Sequence, residues 1–419
     1  YNNIFDLPSV SKGAMASVIG KIRNDGKYIV HNGEEEIVNA SAKQVTKGFL
    51  YNRPFKKPTL SLSEPELPIL NDFGKALLEI LAHENIASRE PIFEKYDKQV
   101  QGRIHMESGT ADSGVLAPFN SVDYPEEIRK VGIALSTDHN PRYSMIDPYW
   151  GGINAVVEAM RNVAAVGATP HAVTDCLCFG NPEKPNQMWE FVEGTRGVSD
   201  ACKAITLKEH PKNPTPIIAG NVSFYNESKN GSIPPSPIVS CLGKLKNVDN
   251  SIPMNFQKSK SDILMVGERK NELGGSIYYQ LYEELGANVP KPDLIEARNQ
   301  IFAITDCAEK KLTLSCHDIS DGGIAISIAE MTFANNIGCN VTIPGELEIS
   351  KLLFSETGGF VIETDKDKTT DVQKIFKKYN LKIFKIGETG GNHISLNNSI
   401  NLGIEKAKNR WENGLREKL

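Results

Sequence analysis

The stretch Val131-Gly132-Ile133-Ala134-Leu135, the segment Trp150 to Val166, and Ala172-Val173-Thr174-Asp175-Cys176-Leu177 together decide the fold class. The first is a short apolar run of strand length. In the second, Ile153, Val156, Val157, Met160, Val163 and Ala164 recur at helical spacing and form one apolar stripe. Gly167 stops that helix and Pro170 stands just beyond it. The third returns to strand. Strand, long amphipathic helix, strand is the alternation of an α/β protein. A second helix over 186–204 and a strand over 215–219 continue it.

Outward from this block the pattern is less regular. Pro234-Pro235-Ser236-Pro237 reads as a boundary, and a second α/β unit follows it. Its expected elements are a strand at Asp262–Gly267, a helix over Gly322–Phe333, a strand at Phe360–Glu363 and a helix over 371–378. Upstream, residues 15–39 read as β-hairpins, with turn signals at Asn24-Asp25-Gly26 and Asn32-Gly33. Pro54, Pro58, Pro65 and Pro68 mark a linker before a helix over 70–86. The expected division is 1–57, 58–234 and 235–419.

Composition excludes several classes. The 419 residues are 40% hydrophobic and 24% charged, ordinary for a globular chain of two or three domains. A net charge of −5 argues against nucleic acid as a partner, since a broad footprint needs a basic surplus. No apolar run approaches the ~20 residues that span a bilayer, so no membrane partner is expected. The seven cysteines are an odd number and lack zinc spacing, which fits reduced thiols in a cytoplasmic protein. The first residue is Tyr1 rather than Met, which suggests a processed chain or a piece of something longer.

Five clusters could carry chemistry. Gly220-Asn221-Val222-Ser223-Phe224-Tyr225-Asn226-Glu227 offers a glycine for close backbone approach, then an amide, a hydroxyl and a carboxylate. Such oxygens suit Mg²⁺, or equally an Asn-rich turn satisfied by its own side chains. Asp175, in Asp175–Glu183, stands near a strand end, where open α/β sheets collect ligands; it could also cap a turn. Asp138, in Ser136–Asn140, and Asp112, in Gly109–Gly114, are metal ligands or turn-formers. In Cys316–Gly323, Ser320 or Asp321 would cap a helix whose N-terminus favours a phosphate. His317 beside Asp318 is either an acid–base pair or a structural histidine. Ser355-Glu356-Thr357-Gly358-Gly359 reads as a tight turn.

In this order, the clusters resemble the large synthetase subunit of phosphoribosylformylglycinamidine synthase, within the superfamily of aminoimidazole ribonucleotide synthetase. The matching stretches are Ser136–Arg142, Asp147–Ala168, Thr174–Trp189, Gly220–Glu227, His317–Met331 and Phe354–Gly359. The resemblance runs from about residue 15 to the end and implies a two-domain synthetase half. Residues 1–57 would be the tail of a preceding domain and a linker. Residues 58–234 would be a barrel-forming, ATP-binding α/β domain, and 235–419 an outer α/β domain. It implies ATP and Mg²⁺ as cofactors, with Asp175 and Gly220 at the nucleotide, Asn221 on Mg²⁺ and Ser223 at the substrate. That substrate would be formylglycinamide ribonucleotide, phosphorylated on its amide oxygen and then aminated by ammonia drawn from glutamine. The partners would be a glutamine amidotransferase and an amino-terminal half that carries the catalytic His. The competing expectation is a nucleotide-binding structural half that catalyses nothing, or a related ATP-dependent synthetase.

Overall fold

The computed structural model of the chain describes residues 18–48, 51–68 and 72–419. Two compact units meet at Arg53/Pro54. In the first, strands Lys27–Asn32 and Glu35–Ser41 pair antiparallel across the Asn32-Gly33 turn, where Gly33 takes a φ of 63°. Asn24-Asp25-Gly26 lies ahead of that hairpin and joins no second one among the described residues. The strand expected at Met15–Ile19 falls largely outside the described residues.

The second unit holds two sheets. The first has six strands, in the spatial order Ile104–Met106, Gly114–Leu116, Gly132–Asp138, Ser236–Leu245, Thr169–Cys178 and Ile217–Ser223. Only the last pair is parallel. The helix Pro148–Ala165 covers one face, and Asp147 caps it by accepting from the Tyr149 amide at 3.0 Å. Ile153, Val156, Met160 and Val163 of that helix are fully buried with Ala134, Val173 and Val239 of the sheet. Each such aliphatic side chain contributes roughly 1.5–3 kcal/mol on burial. The helix Pro185–Ala204 crosses it at contact distance of the backbones. A Cβ on Gly152 would strike the Gly194 carbonyl oxygen, and one on Gly197 the Tyr149 carbonyl oxygen.

The second sheet has seven strands, with Ser315–Ile319, Gly359–Thr364, Asp262–Val266 and Ile383–Thr389 adjacent in that order. The first three are buried at every residue. Alternate side chains of Asp262–Val266 enter different cores. Leu264 and Val266 pack with the Pro148–Ala165 helix and the Leu294–Glu309 helix. Ile263 and Met265 pack with helices Gly323–Phe333 and Phe73–Leu81.

The expected boundary at 234/235 does not divide the sheets. Ser236–Leu245 is a central strand of the first sheet, so the chain passes to the second sheet after Leu245. Proline normally argues against a central strand. Here Pro237 faces Leu177 on one side only, and pairing with the Gly132–Asp138 strand starts at Val239. A missing N–H at Pro237 therefore costs no ladder bond on the second side.

Candidate functional site

The parallel edge pair of the first sheet gathers the four expected site residues. Its register sets Asp175 beside Gly220, Cys176 beside Asn221 and Cys178 beside Ser223. Gly220 and Asn221 lie inside the strand Ile217–Ser223 rather than after it. A Cβ at Gly220 would collide with the Asp175 carboxylate, so only glycine lets that carboxylate lie along the neighbouring strand. Burial pushes the Asp175 carboxyl above its usual range. Asn221 is exposed and Ser223 half-buried. Asn226 Nδ2 donates to Ser223 Oγ at 3.1 Å and to the Phe179 carbonyl at 3.0 Å. Tyr225 takes a φ of 60° and returns its amide to the Gly180 carbonyl at 2.9 Å. Lys184 pairs with Glu227 at 2.6 Å just beyond this strand.

The other expected residues form a second, interior cluster. Arg161 lies 3.6 Å from Glu158 and 3.5 Å from Asp318. Asp138 accepts from Asn162 Nδ2 at 3.1 Å, and Asp321 accepts from Asn140 Nδ2 at 2.9 Å. Desolvation pushes the carboxyls of Asp138 and Glu158 well above their usual range, and nearby acidic groups add to it. The same cause puts Asp318 at about 6, against the pull of Arg161. His139 is pushed down to about 4 by burial, and neither ring nitrogen has a partner.

Two expectations about this region change. The Gly323–Phe333 helix is capped by Gly322 at a φ of 81°, not by Ser320 or Asp321. The Gly322 amide donates to Glu356 Oε1 at 2.7 Å, so an internal carboxylate occupies the end expected to hold phosphate. Ser355–Gly359 is accordingly more than a turn. Glu356 also accepts from the Ile277 amide at 2.9 Å and the Tyr143 hydroxyl at 2.5 Å. Desolvation raises its carboxyl to about 8. Sequence reading missed Glu158, Arg161 and Tyr143. The available signal was a Glu and an Arg three residues apart inside an otherwise apolar helix.

The chain is built like known synthetases. Residues 112–245 match the N-terminal domain model of the AIR synthase related proteins, and residues 261–396 match the C-terminal domain model. The chain belongs to the AIR synthase related family. Across its whole length it is 42% identical to the phosphoribosylformylglycinamidine synthase subunit PurL of Methanothrix thermoacetophila, covering 54% of that protein. It is 36% identical to PurL of Methanothermobacter marburgensis over 90% of this chain and 50% of that one. The chain thus spans about half the length of the curated relatives it matches. Thermotoga maritima PurL, solved with FGAR, shares the fold at a TM-score of 0.61 and 16% identity, over 80% of this chain and 53% of the other. The ADP complex of the same protein gives 0.59. No described helix is long and apolar enough to cross a membrane.

Proposed function

We propose that this family member is the nucleotide-binding half of an ATP-dependent amidine synthase in cytoplasmic purine biosynthesis. The enzyme converts formylglycinamide ribonucleotide to formylglycinamidine ribonucleotide. The observation that carries this reading is 42% identity to a PurL subunit along the full chain. The Asp175–Gly220 contact supports it at the level of the site.

In this reading Asp175 and Gly220 receive the nucleotide at the edge of the first sheet. The absent side chain at Gly220 leaves room for the Asp175 carboxylate, which is then placed to meet the nucleotide. Asn221 presents an exposed amide oxygen, a hard donor that suits Mg²⁺. A bound Mg²⁺ supplies neutralisation of phosphate charge. Ser223, with its hydroxyl fixed by Asn226, orients the ribonucleotide. Phosphorylation of the substrate amide oxygen makes phosphate the leaving group, and ammonia displaces it from the iminophosphate. A glutamine amidotransferase subunit or domain supplies the ammonia, and the amino-terminal half supplies the catalytic His. The exposed Leu135, Ile217, Ile218 and Val222 on the first sheet fit a surface that such a half would cover.

The test is Ser223→Ala in the complete protein. KM for formylglycinamide ribonucleotide should rise about tenfold, the effect of losing one hydrogen bond to a polar substrate. Unchanged kinetics would sink the substrate role of Ser223. Gly220→Ala should weaken ADP binding about tenfold or more in calorimetry, because the new methyl displaces Asp175.

A further inference from the structure

Cys176 and Cys178 stand two residues apart on the Thr169–Cys178 strand, so their side chains leave the same face of the first sheet. Their sulfur atoms are 3.6 Å apart and share a thiol–thiol hydrogen bond. Both residues are half-buried, whereas Cys202, Cys241, Cys307, Cys316 and Cys339 are buried. An oxidant in solution therefore meets this pair before any other thiol of the chain.

The pair also adjoins the residues read as ligand contacts. The parallel register sets Cys176 beside Asn221 and Cys178 beside Ser223, and register neighbours share a face of the sheet. A change in the spacing of the two cysteines is therefore passed to Asn221 and Ser223 through the ladder. Two residues of extended strand span about 6.4–6.8 Å. That is the upper end of the Cα separations a disulfide bridges, about 4.4–6.8 Å. A bond can close here only with a local contraction of the strand. Disulfides formed under such constraint are the readily reduced, regulatory kind.

We propose that Cys176 and Cys178 form a reversible disulfide that distorts the edge pair and weakens ligand binding at Asn221 and Ser223. The oxidant is a low-molecular-weight disulfide such as oxidised glutathione. One cysteine thiolate attacks it, which makes a mixed disulfide and releases one glutathione thiolate. The other cysteine thiolate attacks the protein sulfur of that mixed disulfide and releases the second. The pair gives up two electrons, and its two thiol protons end on the two glutathione molecules. Burial and the adjacent thiol raise the Cys178 thiol above its usual range, so the exchange is slow at neutral pH. Formation of the bond stands on the cysteine geometry alone. Its effect on ligands rests on the roles proposed above for Asn221 and Ser223.

The test equilibrates the full chain with oxidised glutathione under native conditions until its mass is constant. The intact mass should fall by about 2 Da with no glutathione retained, and dithiothreitol should restore it. Peptide mapping should place the bond between Cys176 and Cys178. Cys178→Ser, checked for folding by circular dichroism, cannot close the bond and should keep one glutathione on Cys176. In calorimetry the oxidised wild-type chain should bind Mg²⁺–ADP about tenfold more weakly than the reduced chain. A wild-type chain that keeps both thiols free, or retains glutathione on them, overturns the proposal. A mapped bond that leaves Mg²⁺–ADP affinity unchanged overturns its control of the site. A mapped bond in a chain that binds no Mg²⁺–ADP even when reduced supports the disulfide and counts against the proposed function instead.

Discussion

The two sheets of the second unit solve opposite problems. Strands Asp262–Val266, Ser315–Ile319 and Gly359–Thr364 are buried at every position, with helices on both faces. The edge strand Ile217–Ser223 is exposed at every residue but its last. The difference teaches where each kind of polar group belongs. In the second sheet Glu356 is enclosed, and its hydrogen bonds hold elements together. On the first sheet Asn221 and Ser223 stand on the edge strand, and Asp175 on the strand beside it is only half-buried.

The contrast can be broken most forcefully at Arg161. Arg161→Ala leaves Glu158 and Asp318 without their shared cation, and breaking a buried pair of this kind costs about 3–5 kcal/mol. Urea denaturation measures it. Leu264→Ala should cost about 2–4 kcal/mol, because Leu264 is fully buried between two layers. Glu356→Gln is nearly isosteric and should cost about 1 kcal/mol at pH 5. Its pH dependence has a definite sign. The folded-state pKa of Glu356 is raised to about 8, above the unfolded value. Its stabilising contribution is therefore fully present below the unfolded pKa and is lost as pH rises towards 8. The variant lacks this loss, so the gap to wild type should narrow between pH 5 and 8. A gap that widens would show that the ionised form is the stabilised one. Smallest is Leu135→Ala on the open face of the first sheet, expected within about 0.5 kcal/mol. A cost comparable to that of Leu264→Ala would mean that the open face is covered in solution.

Much of this was legible in the sequence, and the reason is range. The Pro148–Ala165 helix announced itself through a stripe of apolar residues, and the Thr169–Cys178 strand through its length after a Gly–Pro stop. Asp175 and Gly220 could be paired only through a family resemblance, since no local rule fixes a parallel register 45 residues apart. The interior cluster was less accessible still. Asp112 bonds to the backbone of Asp318, 206 residues away, and no window of sequence contains both. Glu356 looked like a turn residue because its partners are the Gly322 and Ile277 amides and the Tyr143 hydroxyl, all remote in the chain. Pro237 misled for a different reason. Its cost depends on which side of the strand is paired, and the sequence does not state that.

The bond between Tyr143 and Glu356 also sets an order in time. The two residues are 213 positions apart. On a ribosome adding about 5–20 residues per second, roughly 10–40 s separate their synthesis. When the Pro148–Ala165 helix has been made, the Leu264, Ile301 and Phe360 that cover it and the Asp318 that pairs with Arg161 are still to come. That face of the first sheet is therefore uncovered until the second sheet has been made.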